Sequence, residues 1–259
     1  RMCIRDSNTT TDSNGDYLFD DSFDLKPNHT YSVKFVLPNG TPFVFTYPNA
    51  VDSNDTNDSD ANRTSGISLG TTPTMYSNDE NKSFDAGVFI PAHLGNKIWY
   101  DNDGDGFQDA GEAGVPDVNI TLYDANGTQV THDHNGTKLG NTAIAGVFET
   151  NATGEYYFNN LRPGRYYVEF NASTIPSGFV FTEANASSDS NDTFDSDVNA
   201  TGFSFVISLE SNETNHTIDA GIFKPASIGD YTWVDENGDG IQQTNEANLS
   251  DVNVTCLLY

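Results

Sequence analysis

Internal repetition constrains this chain more than any other feature. FDAGVFIPAHLGNKIWYDNDGDG at residues 84–106 returns as IDAGIFKPASIGDYTWVDENGDG at 218–240, so that Asp85, Pro91, Trp99 and Asp101 reappear 134 residues later as Asp219, Pro225, Trp233 and Asp235. Further matches, displaced by 135 to 139 residues, pair GDYLFDDSFDLKPNHTYSVKF at 15–35 with GEYYFNNLRPGRYYVEF at 154–170, and FVFT at 43–46 with FVFT at 179–182. A period of domain size calls for a row of similar domains rather than one large core. The expected division is the C-terminal part of a unit at 1–92, a complete unit at 93–225, and the N-terminal part of a third at 226–259.

The two ends carry their own signal. RMCIRDS and CLLY resemble translated sequencing-adapter read-through, so residues 1–7 are set outside the fold and the chain reads as a piece of a longer gene. The outer pieces are complementary, lacking together only the counterpart of residues 126–146. A cut polyprotein explains that directly. Strand addition between copies, building a filament, is the alternative.

Within the complete unit, short alternating runs are bounded by Gly, Asn, Asp and Pro, which is the pattern of an all-β sandwich. In VNITLY, Val118, Ile120 and Leu122 face one way and Asn119 and Thr121 the other; Tyr166, Val168 and Phe170 alternate with Tyr167 and Glu169. Further strands are expected at 96–100, 143–149, 155–159, 179–182, 203–209 and 217–223, with minimal helix. The joints IPAH at 90–93 and KPAS at 224–227 are too short and proline-bound to be floppy, so neighbouring units should be stiffly apposed.

Against 38 acidic side chains stand 11 basic ones, a net charge of -27. That balance disfavours nucleic acid and anionic membrane as partners and favours cations. Seventeen Phe, twelve Tyr and two Trp exclude a disordered acidic tail. Cys3 and Cys256 lie at the extreme ends, so no disulfide framework holds the fold. No apolar run approaches the roughly 20 residues of a membrane span, and no signal peptide is visible.

The concentration of acids at 101–112, DNDGDGFQDAGE, needs a counter-charge. Asp101, Asp103, Asp105, Gly106 and Glu112 fit the D-x-[DN]-x-[DN]-G-x5-E calcium loop, with Asp109 at the ninth position and the Phe107 carbonyl as a backbone ligand. Asp235, Asn237, Asp239, Gly240, Ile241 and Glu246 repeat the pattern one unit on. The loop joins strands rather than helices, so the ion is expected to be structural and not a sensor. Two carboxylates about 4 Å apart repel by roughly 1 kcal/mol even in water, and calcium removes that repulsion. At a hundred times its dissociation constant it adds about 2.7 kcal/mol per site. Neutral Asn237 and Gln243 replace Asp103 and Asp109, so the second loop should bind more weakly.

A second acidic string recurs as SNDTNDSD at 53–60 and SNDTFDSD at 190–197. Asp192, Asp195 and Asp197 with Asp219 form a candidate second metal site if the fold brings them to the last strand; a solvated polar loop is the equal alternative. Asp117, recurring as Asp251, fits either role.

Of 29 Asn, 19 stand in Asn-x-Ser/Thr sequons: Asn8, Asn28, Asn39, Asn54, Asn57, Asn62, Asn81, Asn119, Asn126, Asn135, Asn151, Asn171, Asn185, Asn191, Asn199, Asn212, Asn215, Asn248 and Asn253. About five or six would arise by chance, so N-linked glycosylation through a eukaryotic or archaeal secretory route is expected. A sugar coat over sheet faces would also discourage edge pairing.

Catalysis has no support in the sequence. The histidines are scattered, HDH at 132–134 lacks the spacing of a zinc site, and the glycines of the acidic loop belong to its turn.

Taken together, GNKIWYDNDGDGFQDAGEAGVPDVNITLY, GEYYFNNLRPGRYYVEF, SDSNDTFDSD and IDAGIF closely resemble the SdrD B-like domain, the calcium-binding B repeat of serine-aspartate-repeat surface adhesins, related to the B-type repeats of collagen-binding adhesins. The resemblance covers the chain outside its terminal strings. It implies tandem immunoglobulin-like or prealbumin-like β-sandwiches, calcium-dependent rigidity through Asp101, Asp103, Asp105, Asp109 and Glu112, and an extracellular or cell-surface location without enzymatic activity. Related repeats sometimes carry a Lys-to-Asn isopeptide staple; Lys97 with Asn215 or Asp219 is the matching trio, but Tyr231 replaces the lysine in the next unit. The function expected is a structural repeat of a calcium-stiffened, N-glycosylated extracellular fibre or stalk, joined head to tail to neighbouring repeats or copies. The alternative is a ligand-binding adhesin module.

Overall fold

The computed structural model describes residues 7–48, 58–185 and 194–257. Cys3, Asn54, Asn57, Asn191 and Asp192 lie outside the described residues.

The described residues are all-β. The strands are β1 (Val44–Phe45), β2 (Val88–Phe89), β3 (Ala92–Leu94), β4 (Ile98–Tyr100), β5 (Asn119–Asp124), β6 (Val147–Glu149), β7 (Phe158–Leu161), β8 (Gly164–Phe170), β9 (Val180–Phe181), β10 (Ile207–Leu209), β11 (Thr214–Asn215) and β12 (Ala220–Phe223). A single 3-10 turn, Asp21–Phe23, is the one helical element among them, and no described helix is long and apolar enough to cross a membrane.

The antiparallel sheet β10-β8-β5-β6 forms one layer of a sandwich; β11-β3-β7 and β4-β12-β9 form the other. Alternation sets the layers. Tyr166, Val168 and Phe170 of β8 point inward, with Ile120 and Leu122 of the neighbouring β5. They join Leu94, Ile98, Phe158, Ala220 and Ile222 of the facing sheets in one apolar cluster. Each large apolar side chain so buried contributes about 1.5–3 kcal/mol. Tyr156 reaches through the core to give its hydroxyl hydrogen to the Ile218 carbonyl at 2.8 Å. Gly154 allows the backbone to close up there: its φ is +78°, and a Cβ would stand 2.2 Å from the Ile98 carbonyl oxygen.

The repetition extends to individual hydrogen bonds. Tyr17 donates to the Phe84 carbonyl as Tyr156 does to Ile218, and Tyr31 to the Lys26 carbonyl as Tyr166 does to Arg162. Asp85 N–H donates to Asp60 Oδ2 as Asp219 N–H does to Asp197 Oδ2, and Thr46 N–H to Gly87 as Thr182 N–H to Gly221. The joint at residue 90 is held by hydrogen bonds of its own. Ile90 N–H donates to Ser211 Oγ at 2.9 Å and its carbonyl accepts from Asn212 N–H at 3.0 Å, after which β3 runs antiparallel to β7 and parallel to β11.

Residues 226–257 behave differently. They form an isolated bridge, Trp233 to Asn248, and no strand. Val252 and Val254 are 44% and 81% exposed, whereas their counterparts Val118 and Ile120 are fully buried.

Candidate metal centre

The acidic loop leaves β4 and returns through a bridge between Trp99 and Gly114. Asp101 is the hinge between the loop and the sandwich: its N–H donates to the Ile222 carbonyl of β12 at 2.9 Å, and its side chain is only 2% exposed. Both of its carboxylate oxygens accept hydrogen bonds. Oδ1 accepts from Gly104 N–H at 2.7 Å, and Oδ2 from Gly106 N–H at 3.0 Å and from the Thr182 hydroxyl at 2.6 Å. The turn this demands needs glycine at 106, where φ is +88°.

Asp101, Asp103 and Asp105 can hold a metal ion: one carboxylate oxygen from each lies within 4.8 Å of the others, with Asp103 and Asp105 exposed. An all-oxygen set suits a hard cation. Phe107 is bridged to Asp195, with the flanking bonds made by Gln108 N–H to the Phe194 carbonyl and Ser196 N–H to the Gly106 carbonyl. In that register the N–H and C=O of Phe107 turn away from residue 195. Its N–H donates to Asp105 Oδ1 at 2.8 Å, leaving the carbonyl on the acid side. Asp109 is exposed and stands outside the converging trio. Glu112 closes the loop rather than joining the trio: Oε1 accepts from Asn102 N–H at 2.7 Å and Oε2 from Asp109 N–H at 2.9 Å.

The second loop copies this backbone. Asp235 accepts from Gly238 N–H and Gly240 N–H, both at 2.7 Å, and Glu246 accepts from Glu236 and Gln243 N–H, both at 3.0 Å. The Gly240 N–H above all, with Gly238 behind it, holds the Asp235 carboxyl below the usual aspartate range. For Asp239 the main cause of the same shift is the Ile241 N–H, followed by Gln243. Here the neutral side chains act as internal counter-groups: Asn237 Nδ2 and Gln243 Nε2 donate to Asp239 Oδ2 at 3.1 and 2.8 Å.

Of the second acidic string, Asp195, Asp197 and Asp219 are all buried. Asp197 and Asp219 are brought together, with Asp197 N–H on the Asp219 carbonyl at 2.9 Å and Asp219 N–H on Asp197 Oδ2 at 2.7 Å. Asp195 lies instead beside Phe107 of the acidic loop. The Asp219 carboxylate turns to the first strand region, accepting from Lys97 N–H at 3.0 Å and Asn96 Nδ2 at 2.8 Å. Burial pushes its carboxyl well above the usual range, and the neighbouring Asp197 adds to the shift while the Lys97 N–H opposes it. Asn215 accepts from Thr217 within its own turn, so both staple partners offered to Lys97 are engaged in hydrogen bonds. Asp117 and Asp251 share a positive φ of 61°, a turn role that recurs in both copies.

Every described sequon asparagine is exposed or half-buried. Several use the carboxamide oxygen in a local turn: Asn81, Asn151, Asn171, Asn199 and Asn215 each accept both the N–H and the hydroxyl of the sequon Ser or Thr. Two parts of the centre escaped sequence reasoning, the Thr182 hydroxyl and the strip at 194–196. The repeats of FVFT and of SNDT-x-DSD marked both stretches, but not their place against the loop.

The SdrD B-like domain matches residues 4–88 and 92–222. The chain belongs to the SdrD B-like domain family. Its relatives include serine-aspartate repeat-containing protein F of Staphylococcus epidermidis, 37% identical over 251 residues, and serine-aspartate repeat-containing protein E of Staphylococcus aureus strain USA300, 34% identical over 250 residues. Each alignment covers 95% of this chain but only 12% and 18% of those proteins. Among solved structures, the minor pilin GBS52 of Streptococcus agalactiae is 14% identical with a TM-score of 0.35, covering 64% of this chain and 67% of that one. SdrD B-like repeats are structural modules rather than enzymes, and this chain is an extracellular or cell-surface repeat.

Proposed function

We propose that residues 1–92, 93–225 and 226–259 are successive SdrD B-like units of an extracellular fibre or stalk, each stiffened by calcium and joined head to tail. The observation that carries this reading is the convergence of Asp101, Asp103 and Asp105 on a loop tied at once to β12, to Thr182 and to residues 194–196. An ion held there by those three carboxylates and the Phe107 carbonyl, with Asp109 and Glu112 turning inward from their present positions to complete the set, would cancel their mutual repulsion and lock β4 to β12. Calcium suits the set because it accepts about six to eight oxygen ligands in a flexible geometry. Asp235, Asn237, Asp239, the Ile241 carbonyl and Glu246 would serve in the next unit, more weakly. Asp195, Asp197 and Asp219, with Asp192, remain the candidates for a second ion.

N-linked glycans complete the proposal. At sites such as Asn81 and Asn199 the turn engages the carboxamide oxygen rather than Nδ2, the atom that would carry a glycan. Small-angle scattering of the 259-residue chain tests the stiffening: saturating calcium should give a longer, narrower distance distribution than EGTA, and superimposable profiles contradict it. Intact mass of the native protein before and after glycan-releasing amidase tests the coat. Multiple glycan losses are expected, and an unmodified mass removes that part.

A further inference from the structure

The acidic character of this chain is interrupted at one place. Two neighbouring hollows, of about 370 and 290 Å³, flank the joint between residues 34–65 and residues 132–165. Lys34 and Arg63 line the first, Arg162, Arg165 and His132 the second, and His134 belongs to the wall of both. Four of the chain's eleven Lys and Arg therefore gather where the net charge is -27 overall.

The lining of the two hollows is net positive, with four Lys and Arg against Asp124 and Asp133. None of the four forms an ion pair with a described carboxylate. The two acids of the second hollow each turn one oxygen to a local turn: Asp124 Oδ1 accepts from Asn126 and Thr128 N–H, both at 2.9 Å, and Asp133 Oδ1 from Asn135 and Thr137 N–H, both at 2.8 Å. The guanidinium groups are also held in place. Arg63 and Arg162 stand 3.9 and 4.2 Å from the centroid of the Tyr47 ring, which requires one on each face. His134 is 4% exposed, with its ring edge-on to Phe89 at 5.8 Å. Its Nδ1 lies 3.0 Å from the Asn160 carbonyl, which can only accept, so Nδ1 carries the hydrogen. The buried Nε2 has no hydrogen-bond partner among the described residues.

We propose that this joint is a binding site for a single oxyanion group, a carboxylate, phosphate or sulfate, with Arg162 and Arg165 as its primary donors. Planar guanidinium groups match such oxygens in pairs. An anion seated there lies between the two sides of the joint, neutralising Arg63 and Lys34 from one and Arg162 and Arg165 from the other.

The test is a titration of the 259-residue chain with sodium sulfate, phosphate and acetate in separate arms at constant ionic strength, following the His134 and Tyr47 ring resonances by NMR. The expected result is a saturable shift at both rings with at least one anion, weakened at least tenfold in Arg162→Gln and in Arg165→Gln. Arg165→Gln leaves the Tyr47 stack untouched, so it decides the matter if Arg162→Gln disturbs the joint. Which arm saturates at the lowest concentration identifies the oxyanion class. Shifts that stay linear and match those of exposed His29 in every arm overturn the proposal, as does saturable binding unchanged in Arg165→Gln.

Discussion

The loops at 101–112 and 235–246 share a backbone and differ in what stands behind it. Both wrap an aspartate around two glycine N–H groups and close through a glutamate that caps both ends. The first is backed by Thr182, the Ile222 carbonyl and residues 194–196, and presents three converging carboxylates. The second is followed by a segment without strands, and its Asp239 is satisfied by Asn237 and Gln243. The difference teaches that the twelve-residue pattern is enough to set the turn, while the cation proposed for the first loop would be called for by the acids at its third and ninth positions and by the packing behind it.

The largest expected effect breaks the comparison outright. Asp101→Ala strips two glycine N–H groups and the Thr182 hydroxyl of their acceptor in a buried place, and should destabilise the 92–222 unit by about 3 kcal/mol in urea unfolding even in EGTA. Asp235→Ala should have a much smaller effect in the same measurement, because its partners can turn to water. An intermediate effect comes from making the loops alike: Asn237→Asp with Gln243→Asp adds about 1 kcal/mol of carboxylate repulsion per pair that only a cation relieves. Calorimetric titration should then find calcium bound to the second loop roughly fivefold more tightly for each acid added.

The smallest effect extends the contrast to the paired tyrosines. Burial, then Asp85 and Asp60, pushes the half-buried Tyr17 up to about 12, whereas burial raises the enclosed Tyr156 further, with Asp219 and Asp197 adding. Each folded phenol holds its proton more tightly than the unfolded one, which titrates near about 10. Stability from these groups is therefore present below pH ~10 and declines as the pH rises through the folded values. Difference titration of Tyr17→Phe by phenolate absorbance should locate Tyr17 near 12, and Tyr156→Phe should leave the absorbance below that pH unchanged.

Much of this was legible in the sequence because it depends on short-range chemistry. The alternation in RYYVEF is the burial pattern of β8, that in VNITLY fails at Thr121, which is buried beside Ile120 and Leu122, and the 134-residue repeat anticipates a shared set of hydrogen bonds. The turn of the acidic loop follows from Asp101, Gly104 and Gly106 alone. What could not be read depends on distant pairing. β3 and β11 are two or three residues long and pair in parallel across more than 100 residues, with no alternation to mark them. Thr182 reaches Asp101 across 81 residues. The acidic string at 194–197 reads like the loop at 101–112, yet its Ser196 and Asp197 bind backbone N–H groups of Gly221 and Asp219.

The central claim, that a cation in the first loop holds the sandwich together, is tested most directly by thermal unfolding of the 259-residue chain in EGTA and in saturating calcium, alongside Asp103→Asn with Asp105→Asn. The account predicts that calcium raises the midpoint of the wild-type chain by several degrees, as about 2.7 kcal/mol of linkage requires at a hundred times the dissociation constant, and that the double variant loses most of this rise. A wild-type midpoint identical in calcium and EGTA, or a full calcium response in the double variant, contradicts it.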